Sequence, residues 1–175
     1  KVQDVDGNGV ITTDDRIIYS QRPDVTFGFN NTFNYKGFDL SVFLYARLGQ
    51  WIAYDYNTTY RINALENGGN VDYWTPENPT NAFPRPNKSK SYTQVTYYST
   101  LKYEDGSLFK IRDITLGYTF KPELLKHLNL SRLRVYATAK NFFTFSKIDN
   151  YDPEQGGSIS FPMTKQLVFG LNVEF

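Results

Sequence analysis

The stretch "QLVFGLNVEF", Gln166 to Phe175, puts Leu167, Phe169, Leu171, Val173 and Phe175 on one face of an extended chain and Gln166, Gly170, Asn172 and Glu174 on the other. A period of two is the signature of a β-strand whose faces meet different surroundings. Four other stretches repeat it. "LRVYATAKNFFTF" sets Leu133, Val135, Ala137, Ala139, Phe143 and Phe145 against Arg134, Tyr136, Thr138 and Lys140. "FDLSVFLYARLG" sets Phe38, Leu40, Val42, Leu44, Ala46 and Leu48 against Asp39, Ser41, Tyr45 and Arg47. "ITLGYTF" sets Ile114, Leu116, Tyr118 and Phe120 against Thr115, Gly117 and Thr119, and "VTFGFNNTFNY" sets Val25, Phe27, Phe29, Phe33 and Tyr35 against Thr26, Gly28, Asn30, Thr32 and Asn34. The pattern predicts an all-β, antiparallel chain of about five strands: Val25–Tyr35, Phe38–Ile52, Leu108–Phe120, Leu133–Phe145 and Lys165–Phe175. Such strands exceed the five or six residues usual in globular sheets.

Composition narrows what such a sheet faces. The 175 residues include 14 Tyr, 14 Phe and 2 Trp, yet mean hydropathy is −0.50. That combination suits a sheet with apolar matter on one side and water on the other. The net charge of +1 supplies no field favouring nucleic acid. There is no cysteine, which removes disulfides, thiolate metal sites and thiol catalysis, and His127 is the lone histidine, which removes any two-histidine centre. No apolar run is long enough for a transmembrane helix. The start at "KVQDVDG", without Met, reads as that of a fragment.

The connections alternate in length. "YKG", Tyr35 to Gly37, is a tight turn, and "KPELLKHLNLSR", Lys121 to Arg132, is of medium length with a short helical turn. The stretches Ala53–Ser107 and Ser146–Lys165 are long and rich in Asn, Pro, Gly and Ser. Pro76, Pro79, Pro84 and Pro86 bar a regular strand from the first of them. Amphipathic strands with short turns at one end and long polar loops at the other are the pattern of a transmembrane β-barrel. Lipid tolerates no unpaired backbone, so five strands alone cannot close and belong to a larger barrel.

"DVDGNGVITTDD", Asp4 to Asp15, has the oxygen spacing of a calcium loop. Asp4, Asp6, Asn8, the Val10 carbonyl, Thr12 and Asp15 fall at ligand positions, with Gly9 at the turn. Asp15 stands where a longer, bidentate Glu is usual, and no helix pair flanks the loop. Asp, Asn and Gly also form such turns without an ion.

"YWTPENPTNAFPR" (Tyr73 to Arg85), "YEDGSLFKIRDITLGYTF" (Tyr103 to Phe120), "LRVYATAKNFFTF" (Leu133 to Phe145) and "NYDPE" (Asn150 to Glu154), after the acidic loop and in this order, closely resemble the C-terminal part of SusC/RagA-type TonB-dependent outer-membrane transporters. The likeness covers essentially the whole chain. The ending "GLNVEF" also resembles the terminal signal of bacterial outer-membrane barrels, departing from it at Val168. The resemblance implies a barrel of about 22 strands in a Gram-negative outer membrane, with an N-terminal plug and a TonB-binding segment that are not in this chain. It implies a SusD-like surface lipoprotein as lid, import of glycans or oligopeptides, and no bond chemistry. With the last strand ending in the periplasm, as the resemblance implies, residues 1–24, 53–107 and 146–164 are extracellular loops, and the acidic loop is a surface fitting, stiffened by calcium if an ion binds.

The long loop carries Tyr54, Tyr56, Tyr60, Tyr73, Trp74, Tyr92, Tyr97 and Tyr98. Of these, Tyr54, Tyr56, Tyr73 and Trp74 are candidates to meet substrate or lid, since aromatic faces stack on sugars and also favour protein interfaces. Packing within the loop is the competing role. Arg47, Lys110, Arg112, Asp113, Arg134 and Lys140 interrupt the strands and suit a solvated or paired barrel lumen. Lys110 and Arg112 share the parity of Ile114 and Leu116, so either the strand bulges near Asp113 or its first part stands above the lipid. Two other functions fit the residues: a passive porin-like channel, and a soluble calcium-stabilised β module for carbohydrate binding or adhesion, which would need a second sheet over the apolar faces.

Overall fold

A computed structural model describes residues 3–60, 68–89 and 98–175; Tyr92 and Tyr97 lie outside them. The strands are β1 (Val25–Tyr35), β2 (Phe38–Leu48), β3 (Trp51–Ala53), β4 (Tyr103–Asp105), β5 (Leu108–Thr119), β6 (Arg132–Ser146) and β7 (Gln166–Glu174), with short helices α1 (Asp55–Thr58) and α2 (Pro122–Leu125). The five long strands form one sheet in the order β1-β2-β5-β6-β7, and β3 pairs with β4 as a small ribbon. All pairings between these strands are antiparallel. The alternation of the sequence therefore becomes two faces of a single meander.

The short turns follow from local chemistry. Lys36 and Gly37 both have positive φ, 48° and 90°, as a two-residue hairpin with the right-handed twist requires. A Cβ on Gly37 would also stand 2.8 Å from the Thr119 carbonyl oxygen. Between β5 and β6, Pro122 opens α2, where its missing N–H costs nothing, and Asn129 closes the following 3-10 turn at φ 52°. The expected helical turn is present, with His127 in it.

One expectation changes. The strand expected over Phe38–Ile52 breaks into β2 and β3, because Gly49 takes φ 75° beside the Asp24 carboxylate and Gln50 accepts from the Gly106 N–H (2.7 Å). The ambiguity at Lys110 resolves as a bulge. Asp113 pairs with Phe43 and Ile111 with Leu44, so Arg112 is an extra residue. One extra residue resets the parity. Ile111 and Phe109 join the apolar face opposite Leu44 and Ala46, and Lys110 falls opposite Tyr45 on the polar face. On β6 the register jumps again, between Lys140 and Phe143, with Asn141 left-handed at φ 58°.

The apolar face has nothing over it among the described residues. Leu116, Phe169 and Leu171 are 52%, 73% and 68% exposed. Among the described residues no second sheet covers this face, the covering that a soluble sandwich would need, and an exposed apolar face suits contact with lipid. The larger strands hold 9 to 15 residues, the length a tilted strand needs to cross a bilayer. The buried hydrophobic clusters lie elsewhere, at the loop end: Ile52, Tyr54 and Ile148 form one, Tyr60 and Phe83 another. No helix among the described residues is long and apolar enough to cross a membrane.

The face assignment is testable in the assembled barrel. Leu116→Lys, on the apolar face, is expected to cost about 2–4 kcal/mol of folding free energy into lipid vesicles, while Ser41→Lys, on the polar face one strand away, costs less than about 1 kcal/mol. Equal costs would contradict the assignment.

Candidate functional site

The polar face is a wall of paired side chains. At the turn end, Arg134 Nε donates to Asp39 Oδ1 at 2.9 Å, its Nη2 to Asp39 Oδ2, and its guanidinium lies 4.9 Å over the Tyr136 ring. This bidentate bridge crosses β5 at Gly117, where a Cβ would come within 2.5 Å of both partners. Tyr136 in turn lies on Gly170, whose Cβ would stand 2.2 Å from its ring. The glycines on the polar face are thus the floor under larger neighbours. Thr115 and Thr138 share a hydrogen bond of 2.8 Å in mid-wall, and Lys140 meets Asp113 at 3.8 Å.

Toward the loop end the wall is covered by residues 147–165. Lys110 is fully buried and donates to Asp152 (2.6 Å) and Glu154 (2.8 Å). Arg112 bonds Glu154 at 2.6 Å and lies 5.0 Å over the Tyr45 ring, and Arg47 donates to the Glu154 carbonyl at 2.8 Å. All six charged residues expected on the wall therefore have partners. Asp152 and Glu154, which complete the set, lie 42 and 44 positions from Lys110. Their signal in the sequence is the "DPE" turn itself, an Asp ahead of Pro, but no spacing rule links it to a lysine on another strand.

Above the wall the two long loops share a core. Tyr54 and Tyr56 stack at 5.8 Å, Tyr56 meets Tyr151 at 6.3 Å, and Asp55 N–H donates to the Gly157 carbonyl at 2.9 Å. Burial, with Tyr56 and Tyr151 beside it, pushes the Tyr54 phenol up to about 12. Of the four aromatic candidates, Tyr54 is thus packed inside at 4% exposure and Tyr56 is partly buried against the same cluster. Tyr73 and Trp74 stand out at 41% and 40%. Backbone bonds between Trp74 and Phe83 and between Phe83 and Asp72 fix this pair. Thr80 and then Asn78 hold the Asp72 carboxyl below its usual range.

The acidic loop is folded around its own carboxylates. Asp4 accepts from Gly7 and Gly9 N–H (both 2.7 Å), Asp6 and Asn8 accept from backbone two residues on, and Asp15 accepts from Val5 and Thr12 N–H (both 2.7 Å). Those bonds, Thr12 first and then Val5, hold the Asp15 carboxyl below its usual range. Carboxylate oxygens of Asp4, Asp6 and Asp15 lie within 4.8 Å of one another, a hard donor set that fits Ca²⁺. Asn8, Val10 and Thr12 lie in the same loop, though the Thr12 hydroxyl is already the cap of the 13–15 turn. Downstream, Tyr19 lies tilted against Trp51 (4.3 Å) and stacks on Tyr103 (5.4 Å), which ties the loop to the β3–β4 ribbon.

Comparison with known proteins decides the family. The chain is 31% identical over 98% of its length to TonB-dependent receptor P3 of Formosa agariphila and 30% identical over 98% to TonB-dependent receptor SusC of Bacteroides thetaiotaomicron. This chain belongs to the TonB-dependent receptors. It spans 18% and 17% of those relatives' lengths. Structures of the RagAB peptide importer agree. The "closed-closed" state matches with TM-score 0.74 at 26% identity, over 95% of this chain and 19% of that one. The "open-open" state matches with TM-score 0.67 at 27% identity. No family model matches the chain. These relatives are named as receptors and an importer, not as enzymes.

The shared loop core of the receptor makes a pH prediction. A phenol whose folded value lies above its unfolded value stabilises the fold fully below about pH 10, and that contribution is lost as pH rises from there toward 12. Subtracting the alkaline ultraviolet titration of Tyr54→Phe from that of the parent should leave one tyrosine with a midpoint near 12. A midpoint at the free-tyrosine value would mean that the loop core is open to water.

Proposed function

We propose that this segment forms part of the wall and outer rim of an outer-membrane importer of glycans or oligopeptides in a Gram-negative bacterium. A SusD-like surface lipoprotein covers it, and TonB drives it through the receptor's N-terminal region. The observation that carries the reading is the sheet itself, with a bare apolar face, a paired polar face and the described parts of the long loops gathered at one end. The kinship to SusC and RagAB supports it. In this reading the loops at 1–24, 53–107 and 146–164 face the exterior, and the exposed Tyr73 and Trp74 offer ring faces to a sugar or to the lipoprotein.

The receptor, purified from outer membranes of its own organism, should carry a lipoprotein with it and need TonB for uptake. A water-soluble protein without a partner would overturn the proposal, and uptake that survives deletion of TonB would return the reading to a passive channel.

Calcium has a mechanical part here. Asp4, Asp6, Asn8, the Val10 carbonyl, Thr12 and Asp15 would hold it, and the ion would screen three carboxylates gathered within 4.8 Å and stiffen the strap that ends at Tyr19. In calorimetry the receptor should bind Ca²⁺ in preference to Mg²⁺, which dehydrates reluctantly and demands octahedral geometry. Asp4→Asn with Asp15→Asn should abolish that binding and expose residues 3–24 to protease. Identical binding by the double variant would place any calcium elsewhere.

A further inference from the structure

One buried cation joins the extracellular-side loop 147–165 to the wall. Lys110 reaches the polar face because Arg112 is an extra residue in β5. Its side chain is 0% exposed, and both of its carboxylate partners come from a single turn. That turn is built for the purpose. Asp152 caps it by accepting the Glu154 N–H at 3.0 Å, while its other oxygen takes Lys110 and the Thr144 hydroxyl (3.3 Å). Pro153 is fully buried beneath it. Glu154 divides its oxygens between Lys110 and Arg112.

Beyond the turn, Gly157 takes φ 92° and approaches Ala53 so closely that a Cβ would stand 2.4 Å from the Ala53 carbonyl oxygen. Its own carbonyl accepts from Asp55. An unpaired buried cation is far costlier than an unpaired surface one, so the wall position of Lys110 and the loop position of Asp152 and Glu154 are mutually dependent.

We propose that Lys110 is a positioning residue that hooks loop 147–165, and through Gly157 the start of loop 54–102, onto the barrel wall. This part of the rim then belongs to the rigid barrel and keeps its place when whatever covers the opening moves. The proposal rests on the importer reading for the meaning of the opening. The hook itself does not depend on what is transported.

The test is hydrogen exchange followed by mass spectrometry on the full-length receptor in detergent. Lys110→Met should speed exchange in residues 149–157 and 54–57 about a hundredfold while the β6 and β7 ladders keep their protection. Lys110→Arg should restore most of the protection, which a purely volumetric role would not allow. Adding Asp152→Asn and Glu154→Gln to Lys110→Met should cost less than the sum of the separate changes, because the three groups act as one unit. Unchanged exchange at 149–157, uniform loosening of the barrel, or strict additivity would each overturn the proposal. If Lys110→Met does not assemble, Glu154→Gln alone should loosen the same two segments, and its failure to do so would count equally against the hook. Exchange is read without substrate or partner, so a failed importer reading would show in uptake and leave this result standing.

Discussion

Backbone hydrogen bonding in lipid is the constraint on which the rest of the structure depends. Every N–H and C=O of a strand inside a bilayer needs a partner from another strand, because no water is available. The meander β1-β2-β5-β6-β7 pairs its interior strands on both sides, apart from the bulge at Arg112 and the jump after Lys140, and among the described residues the outer edges of β1 and β7 have no partner strand. A closed barrel would need further strands against those two edges.

Because the ladder is held by backbone, side chains are free to differ completely between the faces. The apolar face needs no tight packing partner, and Phe169 and Leu171 stand bare on it. The polar face is ordered differently, through bidentate and shared ion pairs and through residues without side chains. Tyr136 rests on Gly170, and the Arg134–Asp39 bridge crosses Gly117. A barrel wall of this kind has no hydrophobic core of its own. The described hydrophobic clusters sit at the loop end, where Ile52, Tyr54 and Ile148 bring two long loops together outside the lipid.

The bulge at Arg112 links those two regimes. Below it, alternate residues of β5 obey the parity that lipid imposes. Above it, the same strand turns Lys110 inward to a buried pair of carboxylates. One inserted residue thus converts a position that would carry a charge into the apolar face into the anchor of a rim loop. The edge of the sheet and the loop cap become one piece at little cost to the ladder, which resumes on both sides.

Much of this was legible in the sequence. Alternation over Phe38–Leu48 or Leu167–Val173 depends on neighbours two residues apart, so strand, face and antiparallel class could be read directly from residue order. The tight turn at Lys36–Gly37 and the oxygen spacing of Asp4 to Asp15 are local in the same sense, as was the conflict of parity at Lys110. What the tertiary structure decided is everything that joins distant residues. It resolved that conflict as a bulge, broke Phe38–Ile52 at Gly49, packed Tyr54 inside while leaving Trp74 outside, and brought Asp152 and Glu154 to Lys110 across more than forty positions. The physical reason is that alternation records only which medium a face meets. Partners within the polar face are chosen by register and by loop folding, and neither has a period in the sequence.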